Sequence, residues 1–305
     1  MEDQAEKLRE IMRKKKDSGG KPVNRPRDTR GGETAGREGK KTRIITITSG
    51  KGGVGKTNLS VNMAIAFARI GKKVVVMDAD LGLANVNVML NVIPKYNLYH
   101  VIKKQKNVRD ILVETEYGIS IVAGASGFSQ IANLGEEERQ EFINELDTLS
   151  FADIIIIDTS AGVSGNVLDF IAVADDTVII TTPEPTAIAD AYSIIKIIAT
   201  EHESLNVDLK LVVNRAQGAA EAKNVADRMI NVAGQFLFLK LDYLGFIYDD
   251  RAVPGAVRSQ KPFMVSDPKS KASISVQHLV EKLDKNHIKE AGGIGAVFKK
   301  IFSRS

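Results

Sequence analysis

Residues 50–57 read GKGGVGKT, and this octet constrains the chain more than any other stretch. It satisfies G-x-x-x-x-G-K-[ST], directly behind the β-branched run RIITIT (43–48) and ahead of TNLSVNMAIAFARIG (57–71), which has helical periodicity. A glycine-rich loop in that setting joins the carboxyl end of a buried strand to the amino end of a helix. Gly50, Gly52, Gly53 and Gly55 let main-chain N–H groups turn inward around phosphate oxygens, with Val54 and Asn58 in the same cradle. The helix dipole adds positive potential. Lys56 is expected to reach the β- and γ-phosphates and the Thr57 hydroxyl to ligate Mg2+, so the expected ligands are ATP and Mg2+. The competing reading is a glycine-rich turn that binds nothing; it leaves both flanking elements unexplained.

The rest of the chain keeps the same rhythm. RIITIT, KVVVMD, ISIVAG, DIIIID, DTVIIT, LKLVVN and YLGFIY are too apolar for strands with one wet face. Between them lie the helical stretches EEERQEFINELDTL, TAIADAYSIIKIIATEH and AAEAKNVADRMINVAG. The expected fold is α/β, a P-loop NTPase-type doubly wound, mostly parallel sheet with helices on both faces and ligands at the carboxyl ends of the strands. No cysteine is present, which excludes disulfides, thiol catalysis and thiolate-held metal clusters. Residues 1–43 carry 14 Lys/Arg against 8 Asp/Glu, which leaves the remainder of the chain at −2. The basicity therefore lies in the N-terminal segment, and nucleic acid is not an expected partner of the body.

Two strands end in acids. VVVMDADLGLANV carries Asp78 and Asp80, and IIIIDTSAG carries Asp158, followed by Gly162. A carboxylate at the tip of a buried strand beside a phosphate loop suits the outer shell of magnesium. Gly162 would let a main-chain N–H approach the γ-phosphate. For each acid the alternative is a carboxylate that caps the next turn.

Lys51, together with DADLGLANV and DTSAG, resembles the deviant-Walker-A ATPases, the family of MinD, the ParA partition proteins and nitrogenase iron protein, over roughly residues 43–283. The resemblance implies that Lys51 crosses an ATP-bridged homodimer to the phosphates of the facing subunit. A cationic arm at the mouth of the loop suits that role physically. It further implies that Asp80 orients the attacking water, that Asp78 and Asp158 serve Mg2+ through water, and that Asn214 reads the adenine edge. Tyr248 stands where family members often have proline, and Asp250 follows as the accompanying acid; both are expected at the adenine. Lys51, Lys56 and Asp80 form the expected catalytic set.

The ends of the chain point to a branch. GGIGAVFKKIFSRS places Ile294, Val297, Phe298, Ile301 and Phe302 at helical spacing, with Lys299, Lys300 and Arg304 beside them. A helix over 291–305 is expected to lie in an anionic membrane surface; the alternative is a last helix packed on its own core. In MEDQAEKLREIM, Ala5, Leu8, Ile11 and Met12 lie near one helical face, too short to fold alone. The expected organisation is a partner-binding helix (1–16), a disordered basic linker (17–42), an ATPase domain (43–290) and the membrane helix (291–305). DQAEKLR is similar to the MinD-like flagellar-number regulators (FlhG, FleN or YlxH), with Asp3, Gln4, Ala5, Leu8 and Arg9 matching by position. That resemblance implies stimulation of the signal-recognition-type GTPase FlhF through residues 1–12, contact with flagellar switch proteins, and a cytoplasmic protein peripheral on the inner membrane face. Division-site placement and DNA partition are the alternatives within the family.

Overall fold

The computed structural model describes residues 42–80, 85–124, 136–201 and 207–285. The partner-binding segment, residues 17–41 of the linker and the tail helix expected from the sequence lie outside the described residues. Thr42, expected at the end of the linker, is instead buried, its hydroxyl donating to the Ala152 carbonyl at 2.8 Å.

Eight strands form one sheet: β1 (Arg43–Ser49), β2 (Val74–Ala79), β3 (Leu112–Glu114), β4 (Ser120–Val122), β5 (Ile154–Ala161), β6 (Asp176–Thr181), β7 (Leu209–Ala216) and β8 (Leu241–Tyr248). Their spatial order is β3-β4-β2-β5-β1-β6-β7-β8. Every pairing is parallel except β3 with β4. β1 sits between β5 and β6, so the chain departs to one side of it and later returns on the other. That reversal opens a crevice at the carboxyl ends of the strands, where open α/β sheets take ligands.

β-branched residues make both faces of the central strands apolar, and alternation sends successive side chains to opposite layers. On one face Ile45, Ile47 and Val76 pack with Leu59, Met63 and Phe67 of α1 (Lys56–Arg69). Farther along, after α2 (Asn85–Met89), come α3 (Leu98–Ile102), α4 (Val108–Ile111) and α5 (Glu136–Asp147). These cover the other face, where Ile44, Val75, Met77, Ile155 and Ile157 meet Leu98, Val101, Phe142 and Leu146. α6 (Gly165–Val173), α7 (Pro185–Glu201) and α8 (Ala219–Leu237) extend that layer over Ile179, Leu211 and Val213. After α9 (Ala252–Arg258) and α10 (Phe263–Ser266), α11 (Lys271–Lys285) returns beside α1, burying Val276, Leu279 and Leu283.

A buried ion cluster ties the amino ends of three strands together. Arg43 Nε donates to Asp176 Oδ2 at 2.6 Å, and Lys210 Nζ reaches Asp176 Oδ1 at 3.0 Å and Asp208 Oδ1 at 2.8 Å. Arg43 Nη1 also donates to the Leu283 carbonyl at 3.0 Å, fastening the end of α11. Burial pushes the Asp176 carboxyl up, but Arg43 and Lys210 outweigh it and hold it below the usual range.

Candidate nucleotide-binding site

Parallel register builds the acidic half of the site. Asp78 and Asp158 are paired residues of β2 and β5, and Ile47 of β1 is the other partner of Asp158. Both acids therefore arrive beside the loop that leaves β1. Gly55 ends that loop with φ 103 as the N-cap of α1, and a Cβ on it would stand 2.4 Å from Asn214 Nδ2. Gly50 is glycine for a different reason. A Cβ there would lie 2.0 Å from the main-chain oxygen of Asp190 in α7.

Lys56 is buried, and its ammonium donates to Ser49 Oγ at 3.0 Å. Burial lowers its pKa, opposed by Asp158 and then Asp80. Ser60, one helical turn after Lys56, donates to Asp158 Oδ1 at 2.8 Å. Asp158 Oδ2 is buried with no hydrogen-bond partner. Burial pushes the Asp158 carboxyl up to about 6, with the Thr57 and Ser60 hydroxyls pulling the other way. Asp78 is pushed up to about 7, by burial first and by Asp158 second. An orphaned carboxylate oxygen beside a hydroxyl, a lysine and a second acid fits a hydrated divalent cation. Thr57, Asp158 and Asp78 are the residues that would hold one.

Asp78 also has a structural task. Its Oδ1 accepts from the Asp80 N–H at 3.1 Å and its Oδ2 from the Val86 N–H at 3.2 Å, bracing the chain on either side of residues 81–84. Asp80 is half-buried, and Asn85 Nδ2 donates to its Oδ2 at 3.1 Å. The site thus holds in place the carboxylate expected to face the attacking water.

Two cavities meet at the loop. One of about 460 Å³ is lined by Gly52, Gly53, Lys56, Thr57, Asp80 and Asn85. The other, of about 620 Å³, is lined by Asn214, Tyr248, Asp249, Asp250, Val253 and Pro254. Gly55, Asn58, Arg215 and Val257 border both. A phosphate chain suits the first cavity and a base the second.

Several expectations change in detail. The Gly162 N–H donates to the Ser49 carbonyl at 2.9 Å, so it ties the end of β5 to the end of β1, where the phosphate loop begins. Asn214 lies in the base cavity, but its Nδ2 donates to the Val54 carbonyl at 2.7 Å and its Oδ1 accepts from Arg215 N–H at 2.9 Å. Asp250 Oδ1 accepts from Ala252 N–H and Oδ2 from Ala272 N–H, at 2.9 and 3.1 Å, so this acid fixes the starts of α9 and α11. Tyr248 borders the cavity, its ring edge-on to Phe246 at 4.9 Å. Lys51 is turned away from the phosphate cavity: its Nζ donates to Thr186 Oγ1 at 2.8 Å and lies 3.4 Å from Glu184 Oε2.

Sequence reasoning passed over Ser60, Asn85 and Arg215. Ser60 had a legible signal, since residues four apart on a helix share a face. Asn85 had none, because its reach to Asp80 depends on the path of the intervening chain.

The family model for the CobQ/CobB/MinD/ParA nucleotide binding domain matches residues 45–263. The chain is 36% identical over 242 residues to the antiactivator FleN of Pseudomonas aeruginosa, covering 79% of this chain and 86% of that protein. It is 36% identical over 268 residues to the flagellum site-determining protein YlxH of Helicobacter pylori, covering 85% and 90%. The MinC:MinD cell division protein complex of Aquifex aeolicus contains a chain of the same fold. That chain has a TM-score of 0.66 and 25% identity, covering 82% of this chain and 100% of its own length.

Proposed function

The chain belongs to the CobQ/CobB/MinD/ParA nucleotide-binding family, and from that premise we propose a MinD-like ATPase that dimerises face to face around ATP, attaches reversibly to the membrane and sets flagellar number or position. The observation that carries this reading is the division of labour between two lysines. Lys56 is buried in the phosphate cavity, whereas Lys51 stands at the mouth, its side chain 38% exposed and held by Thr186 and Glu184. A cation turned away from its own phosphate seat is available to the nucleotide of a second copy. Hydrolysis then depends on association, as with an arginine finger supplied in trans.

The chemistry follows from the residues in place. Water adds to the γ-phosphorus as the bond to the β–γ bridging oxygen breaks, giving ADP and phosphate. Asp80, steadied by Asn85, orients the water, and Lys56 neutralises charge on the transferred group. Mg2+, which Thr57, Asp158 and Asp78 would hold, would supply further neutralisation of phosphate charge. The names of the relatives support the flagellar branch, as do Asp3, Gln4, Ala5, Leu8 and Arg9, the residues assigned here to FlhF. Among the described residues no helix is long and apolar enough to cross a membrane. Attachment is assigned to the amphipathic stretch with Ile294, Val297, Phe298, Ile301 and Phe302, doubled in a dimer. Flagellar switch proteins are the further partners of this reading.

The test mixes a peptide of residues 1–16 with FlhF and follows GTP turnover. Stimulation that disappears with Gln4→Ala supports the flagellar reading. No stimulation, together with binding to a septum inhibitor or salt-sensitive binding to DNA, would move the chain to the division-site or partition branch.

A further inference from the structure

We propose that Arg215 is a further nucleotide-binding residue, its guanidinium set on the wall between the two cavities to hold the phosphate nearest the sugar. The inference rests on the nucleotide-binding reading above and adds a contact to it.

Asn214 and Arg215 are adjacent in β7, and adjacent side chains in a regular strand leave opposite faces. Here both end on the phosphate loop. Asn214 Nδ2 donates to the Val54 carbonyl at 2.7 Å, and Arg215 Nη2 donates to the Gly53 carbonyl at 3.0 Å. Consecutive residues thus engage consecutive carbonyls. An irregularity in the backbone permits it: the β7–β8 register shifts between Val213 and Ala216, and Arg215 has φ 55. Irregularities of this kind re-aim side chains and gather at ligand sites. The Arg215 N–H closes the arrangement by donating to Asn214 Oδ1 at 2.9 Å.

The place that Arg215 reaches gives the arrangement its meaning. It borders both the cavity with Lys56 and the cavity with Tyr248. A nucleotide with terminal phosphates in one and base in the other crosses this wall with its sugar and first phosphate. Arg215 is exposed, and among the described residues it makes no ion pair. One edge of the guanidinium is anchored on a neutral carbonyl, and the planar fork has further donors for phosphate oxygens.

The test titrates ADP into the full chain and into Arg215→Ala and Arg215→Lys, with phosphorus NMR of the bound nucleotide. Arg215→Ala is expected to weaken ADP about tenfold, the scale of one charge-assisted contact. The α-phosphorus resonance should move and the β-resonance stay, and Arg215→Lys should recover part of the affinity. Unchanged affinity overturns the proposal. So does a loss in which the β-resonance moves and the α-resonance stays, because Arg215 would then only shape the loop that seats the outer phosphate. A wild-type chain that binds no ADP sinks the nucleotide reading and this inference together.

Discussion

Replacing Gly50 by alanine tests how the phosphate loop is seated. The new Cβ would stand 2.0 Å from the Asp190 carbonyl oxygen, 2.2 Å from its carbon and 2.8 Å from the Ala191 nitrogen. Ordinary contact begins near 3.4 Å, so about 1.4 Å of separation must be found. All three obstacles are main-chain atoms, and no rotamer change can move them aside. Overpacking in a closed interior costs about 1–3 kcal/mol, and a backbone obstacle belongs at the upper end. For a body of this size that is roughly a 6–12 °C drop in Tm. If the loop yields instead of α7, Gly53, Gly55 and Lys56 move with it, and ATP affinity should fall at least about tenfold, since displacements near 1 Å spoil positioned contacts. Thermal unfolding and ATP titration measure the two effects. Gly52→Ala is the control, because the nearest atom to its Cβ would be Ala161 Cβ at 3.9 Å, and its Tm should stay near that of the parent. A Gly50→Ala chain with unchanged Tm and unchanged ATP affinity would refute the reasoning.

Other consequences can be measured in the same way. Asp78 and Asp158, pushed up to about 7 and about 6, are raised above their unfolded value of 3.8, so the fold favours their protonated forms. Their contribution to stability is complete below about pH 4 and is lost as pH rises through 6 to 7. The nucleotide-free chain should therefore resist urea better at pH 5 than at pH 8, and Asp78→Asn should flatten that difference. Ser60→Ala removes the donor to Asp158 Oδ1 and should weaken Mg2+-dependent ATP binding several-fold while leaving Mg2+-free binding near that of the parent, by calorimetry. Asp176→Asn leaves Arg43 and Lys210 buried without their shared carboxylate and should cost about 3–5 kcal/mol in urea unfolding.

The central strands were legible because Ile154, Ile155, Ile156 and Ile157, like Val74, Val75 and Val76, are buried on both faces and leave no ambiguity of period. β3 was not, since Leu112, Val113 and Glu114 form a short, partly exposed antiparallel edge that takes its structure from β4. α11 was passed over although Ala272, Val276, Leu279 and Leu283 repeat at helical spacing; serines and charges dilute its apolar face, and burial against α1 makes up the difference. The residue types of the phosphate cavity could be read in order along the chain because each ends a strand or begins a helix. What escaped was long-range. The carbonyl of Asp190 against Gly50, the Ser49 carbonyl holding the Gly162 N–H, and the paired reach of Asn214 and Arg215 to Val54 and Gly53 each join residues more than a hundred positions apart. No local pattern encodes such contacts.

The most direct test of the account is the mass in solution of the Asp80→Ala chain, which should hold ATP without consuming it, measured by light scattering with ATP and with ADP. ATP should give twice the mass seen with ADP, and adding Lys51→Ala should return the ATP-bound chain to the smaller value while ATP still binds. A single-chain mass with ATP at every concentration, or a dimer indifferent to Lys51, would contradict it.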